Sequence, residues 1–233
     1  MLKDSVFNQI NNSRQAYENT GSMLETEFIG NVNQTLYKQE AYEIIYKEQL
    51  PETADPEKNY ERILKIREEA QKTFNDTLAF ADRNKYINFK NSMALVERCQ
   101  VGNPEQPKKF FAAALFNYIK QRFDDKYILK FFTATGGTHL DIVHKIDCYF
   151  KLYNKETQKE LTRATIDITG RKSKDKATAD VLLNIQPEEK DLYDPSQGNA
   201  NFDKVFFDQK IKEFGEEIIE SLVENYKKNQ QVE

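Results

Sequence analysis

Asp147 and Asp167 lie at matched positions in two strand-like stretches, DIVHKIDCYFKLYN and TRATIDITGRK. Carboxylates on adjacent strands of one sheet face are separated by about 5 Å of backbone. That is close enough to share a hard divalent cation such as Mg2+ with water and substrate phosphate oxygens. Metal-assisted phosphodiester cleavage is often built on such a pair. Without the ion, their like charges raise one of the two pKa values. The same spacing also suits a plain polar sheet face, its aspartates balanced across strands by Lys145, Lys151 and Arg163.

Basic residues crowd the same stretch: Lys145, Lys151, Arg163, Arg171, Lys172, Lys174 and Lys176. A net charge of -4 gives the whole chain no attraction to nucleic acid. Any such role must therefore rest on this local patch, which also reads as a solvated strand face with a charged loop. Other constellations carry less. The histidines, His139 and His144, fall on opposite faces if the stretch is a strand, with His144 on the apolar side. Cys99 and Cys148 are too few for a disulfide scaffold and read as small buried hydrophobes. With so few His and Cys residues no zinc cluster is expected. TATGGTH holds two glycines but neither opens a helix nor carries a P-loop lysine, so a hairpin turn is expected there.

The elements that must position these residues fall in two zones. Residues 1–106 read as a polar helical region. NQTLYKQEAYEIIYKEQL suggests one helix, ended by Pro51, and residues 57–84 suggest a longer one. In the second, Tyr60, Ile63, Leu64, Ala70, Phe74, Leu78 and Ala81 form an apolar stripe at three- and four-residue steps. Ile63, Ile66, Ala70, Thr77 and Phe80 also fit a loose heptad, which would make a homo-oligomer seam. Residues 107–233 read as an α/β core. A helix follows Pro107, with an apolar face of Phe110, Phe111, Ala114, Leu115, Tyr118, Ile119 and Phe123. The period then switches from 3.6 to 2 near Tyr127. YILKFFTAT is strand-like, Gly136-Gly137 suits a two-residue hairpin loop, and THLDIVHKIDCYFKLYN alternates as the return strand. KELTRATIDITG is a third strand, and KATADVLLNI suggests a short helix running into a fourth. A long closing helix carries a glycine, Gly215, at which a kink is expected.

The fold class expected is therefore α+β: a helical N-terminal region, then a small mixed sheet flanked by helices. No apolar run approaches the roughly 20 residues that cross a bilayer. The N-terminus lacks an apolar secretory stretch, so a cytoplasmic, intracellular protein without a membrane partner is expected.

A helix, a glycine-containing hairpin, a strand ending KID and a strand reading IDITGRK together resemble the core of the PD-(D/E)XK nuclease superfamily. The resemblance covers roughly Pro107 to Ile185. It implies a restriction-endonuclease-like αβββαβ sandwich and a Mg2+-dependent nuclease acting on DNA in viral or mobile-element replication, recombination or defence. On that pattern Asp147 and Asp167 match the two acids that hold the metal. The family's lysine, two residues after the second acid, is replaced by Thr169, which supplies no charge. Lys172 is the residue that would reach back in its place, and Glu97 is the nearest candidate for an acid from the preceding helix. Lys145, Arg163, Arg171 and Lys174 would contact phosphates. Thr169, the acidic net charge and the long terminal helices support a second reading. In it the chain is a non-catalytic assembly or connector protein, such as a virion subunit, that uses the sheet as a scaffold and packs copies through its helices.

Overall fold

A computed structural model describes residues 21–49, 53–73, 87–170, 178–186, 189–197 and 202–232. Its order is α1 (Gly21–Ile29), α2 (Gln34–Gln49), α3 (Pro56–Thr73), α4 (Phe89–Arg98), α5 (Phe110–Lys120), β1 (Tyr127–Thr133), α6 (His139–Ile142), β2 (Cys148–Asn154), β3 (Glu160–Thr169), β4 (Val181–Asn184) and α7 (Lys204–Val232). The fold is α+β, with helices flanking a four-stranded mixed sheet in the order β1-β2-β3-β4. The first three strands are antiparallel and β4 runs parallel to β3. No described helix is long and apolar enough to cross a membrane.

Polar residues set the helix starts. Asn33 accepts from Leu36 N–H, Asp55 from Glu57 N–H and Asn88 from Asn91 N–H, each satisfying a donor the first helical turn leaves open. Pro56, next to Asp55, begins α3, where its missing N–H costs nothing.

The period-2 alternation sorts the sheet into two faces. Cys148, Phe150 and Leu152 join Ala164, Ile166 and Ile168 beneath α1, α5 and α7, against Phe28, Phe111, Leu115, Phe116, Phe214 and Ile218. On the opposite face Phe132 stacks on Tyr149 with ring centroids 5.1 Å apart. This pair packs with Tyr37, Met93, Leu95 and Val96 from α2 and α4. Both cores draw residues from either side of Gln106, where the sequence changes character.

Three local expectations are corrected. The long return strand is strand only from Cys148 onward. Residues His139–Ile142 form a helical turn instead, because Thr138 accepts a hydrogen bond from Asp141 N–H at 3.1 Å and caps it. Gly136 and Gly137 do adopt positive φ, 101° and 81°, but they bend the chain into α6 rather than close a two-residue hairpin. The α7 helix runs unbroken through Gly215. Glycine is there because a Cβ would collide with the Tyr118 ring of α5, which lets the two helices approach closely. Beside that contact Arg122 donates to Glu216 at 2.6 Å and to the Tyr118 hydroxyl at 2.8 Å.

Two further expectations fall partly outside the described residues. On α3, Tyr60, Ile63 and Leu64 are exposed, while the side chains of Ile66 and Ala70, and residues Phe74, Thr77, Leu78, Phe80 and Ala81, lie outside the described set. Of the short helix expected before β4, Thr178–Asp180 are bends and the residues before them lie outside.

Candidate metal centre

The end of the sheet where β2 begins and β3 stops gathers carboxylates from three separate parts of the chain. Asp147 immediately precedes Cys148, and Asp167 immediately follows Ile166; Cys148 and Ile166 are register partners. Asp147 is buried, donates its N–H to Ile166 O at 2.9 Å and accepts Ile168 N–H on Oδ2 at 2.6 Å. The first bond pins its backbone to β3 and the second fixes its side chain there.

Asp141 comes from α6, where the Thr138 cap sets its backbone. Glu25 comes from α1. That helix stops at Gly30, whose φ of 79° turns the chain. The Gly30 carbonyl accepts the Thr133 hydroxyl at 2.8 Å and also the Thr135 hydroxyl, so the end of α1 is tied to the end of β1. One turn back, Glu25 reaches the sheet end. Ligand oxygens of Glu25, Asp141 and Asp147 lie within 4.8 Å of one another.

The electrostatics follow from crowding and burial. Burial pushes the Asp147 carboxyl up to about 8, and the charges of Glu25, Asp141 and Asp167 add to that, while the Ile168 N–H opposes it. Asp141 is raised to about 6, again by burial, with Asp167 adding to it. The Gly137 N–H and the Lys145 ammonium pull Asp141 the other way. Asp167 thus acts on both aspartates through its field, although its oxygens are not among the three that converge.

Three oxygen donors at these separations suit a hard divalent cation such as Mg2+, Mn2+ or Ca2+. They do not suit Zn2+, which favours thiolate and imidazole ligands. A cation would offset the burial, and the neighbouring charges, that hold Asp147 protonated, so uptake would release a proton near neutral pH.

The other sequence candidates separate. Glu97 does not reach the cluster: it pairs with Lys151 at 2.7 Å on the sheet face beneath α4. Lys151, buried rather than available to a ligand, also pairs with Glu160 at 2.6 Å. Arg163 is tied to Glu160 at 3.3 Å and lies over the Phe89 ring at 5.6 Å. Thr169 is buried at the end of β3. Arg171, Lys172, Lys174 and Lys176 lie outside the described residues. His139 is buried with its Nδ1 3.3 Å from the Tyr37 hydroxyl, and His144 Nε2 lies 3.2 Å from Ile87 O. Both cysteines are buried.

Glu25 and Asp141 are the two members that sequence reasoning missed. For Asp141 a signal existed, the T-x-x-D spacing of a helix cap. For Glu25 there was none, because its place depends on packing between distant segments. The chain matches no protein-family model, no curated protein and no solved structure.

Proposed function

We propose that the chain is a divalent-metal-dependent nuclease of the PD-(D/E)XK type, or a nucleic-acid-binding protein descended from one. The convergence of Glu25, Asp141 and Asp147 beside Asp167 is the observation that carries this reading. Glu25, Asp141 and Asp147 would hold Mg2+, and the bound ion would supply Lewis acidity and lower the pKa of a water nucleophile. Asp147 is fixed by the Ile168 N–H, so its carboxylate would be oriented before any ligand arrives. Burial of Asp147, with Glu25 and Asp141 half-buried beside it, limits screening by bulk water and strengthens the pull on a cation. Arg171 and Lys174, in the basic sequence after Gly170, would contact substrate phosphates, and Lys172 would stand in for the lysine that Thr169 replaces.

The test is cleavage of single- and double-stranded DNA and RNA with Mg2+ or Mn2+. The wild type is expected to cut at least one form. Asp147→Asn, Asp141→Asn and Glu25→Gln should each lose about 100-fold or more in rate, the scale on which removing one electrostatic contact at a reacting centre acts, while still melting cooperatively. A wild type that cuts none of them, or three variants that cut as it does, refutes the catalytic reading. Large rings in light scattering, without metal uptake, would instead favour the assembly-subunit reading, to which the exposed Tyr60, Ile63 and Leu64 of α3 would contribute.

A further inference from the structure

On its outer side β3 is only partly paired. β4 runs beside Ile166–Thr169, and Asp180 Oδ2 accepts the Thr165 N–H at 2.8 Å. Residues 160–163, before that point, form a strand edge with no further strand beside it among the described residues. An open edge is a template on which another chain can pair.

α7 closes this edge with side chains. Asn225 Nδ2 donates to Arg163 O at 3.0 Å, and Asn229 Nδ2 donates to Leu161 O at 3.2 Å. The two spacings match. Four residues of helix rise about 6 Å, and two residues of strand span about 6 to 7 Å. Amides one helical turn apart therefore meet alternate strand carbonyls, where a neighbouring strand would have offered its N–H groups.

This end of α7 is held lightly. Leu222 is the last buried residue of the helix, and its carbonyl accepts the Thr162 hydroxyl at 3.0 Å. From residue 223 to 231 every residue is exposed except Asn225, which is half-buried. Val223 and Tyr226 remain 39% and 37% exposed. They roof an apolar cavity of about 190 Å3 that Phe123, Tyr127, Leu152 and Leu161 line from below. A void withholds the contacts that close packing would supply. The segment past Leu222 therefore sits at the low end of the molecule's local stability.

We propose that the end of α7, from Val223 on, is a displaceable strap that closes a strand-pairing edge on β3, and that it excludes the same edge of a second copy of this chain. Undocking the strap bares the Leu161 and Arg163 carbonyls together with the apolar wall of the cavity. A strand edge carries donors and acceptors alike, so two copies can pair antiparallel about a two-fold axis and bury that wall between them.

A chain ending at Leu222 tests this, because it removes the strap and keeps every residue of α7 that is buried among the described residues. In light scattering over a concentration series its mass should rise about twofold above that of the full-length chain, with a cooperative melt retained. Arg163→Pro in the shortened chain places a residue without an N–H on the bared edge and should restore the lower mass. Full-length protein carrying both Asn225→Ala and Asn229→Ala should associate in the same way at higher concentration, again reversed by Arg163→Pro. Lys227→Ala, in the same segment, should change nothing. If the shortened chain loses its cooperative melt, the full-length double variant decides by the same criteria. Variants that keep the wild-type mass at every concentration overturn the proposal. Association that persists with Arg163→Pro overturns it as well, because it would come from the bared apolar wall and not from the strand edge.

Discussion

Asp147→Asn is expected to stabilise the metal-free protein at pH 8 by several kcal/mol, about 3 to 5, and to leave it nearly unchanged at pH 4. The folded carboxyl is raised from 3.8 to about 8, mainly by burial and then by Glu25. Between those values the folded state holds a proton that the unfolded chain has released. Stability therefore falls as pH rises across this window. Each unit of displacement is worth about 1.4 kcal/mol, and coupling to Asp141 and Asp167 keeps the sum below the full product. Asparagine removes the titration, yet its side-chain oxygen still accepts the Ile168 N–H. Urea melts of both proteins at pH 4 and pH 8, with chelator present, measure the effect. Equal stability of the wild type at the two pH values, or a less stable variant at pH 8, would mean that Asp147 sits in an ordinary solvated environment.

Lys151→Ala should cost about 3 kcal/mol, a large fraction of a domain's total stability. The Lys151 side chain is 7% exposed and lies 2.7 Å from Glu97 and 2.6 Å from Glu160. Burial works against its charge, but the two carboxylates outweigh it, and its pKa is raised. Removing one member of a buried ion group costs more than the group's net worth, because the remaining charges lose their partner. Here two partly buried glutamates would be left facing each other. Adding Glu97→Gln and Glu160→Gln to the alanine variant should recover much of the loss. Chemical denaturation of the single and triple variants tests this. A Lys151→Ala protein within about 0.5 kcal/mol of wild type would show that the triad is solvent-screened, as surface pairs are.

Lys151 also shows where sequence reading stops. Its position on the polar side of β2 followed from alternation, as did the positions of Asp147, Tyr149 and Asp167. Alternation gives a face; it does not say whether that face is wet. The α4 helix covers it with Met93, Leu95 and Glu97, and so turns one lysine of the expected basic face into a member of a buried ion pair. The helix of Phe110, Phe111, Leu115 and Ile119 was legible because its apolar residues share one face and no breaker intervenes. The turn at His139–Ile142 was not, because Leu140, Ile142 and Ile146 also satisfy a strand period, and one helical turn is too short for periodicity to separate the two. The outcome there was set by the Thr138 cap. Of the three converging acids only Asp147 was therefore visible, paired in the sequence with Asp167, whose oxygens are not among them. Asp141 and Glu25 needed that short turn and the docking of α1 against β1 through Gly30, Thr133 and Thr135.

Glu25 is the sharpest probe of the site, because nothing in the sequence near Asp147 points to it. Thermal melts in millimolar Mn2+ should show the wild type gaining stability as RT ln(1 + [Mn2+]/Kd), about 1.4 kcal/mol at ten times Kd. Glu25→Gln should lose most of that gain while melting, in chelator, at or above the wild-type temperature, since it removes a charge that repels Asp147. A wild type whose melting temperature ignores Mn2+, or a Glu25→Gln variant that responds to it as fully as wild type does, would show that these carboxylates do not form a metal site.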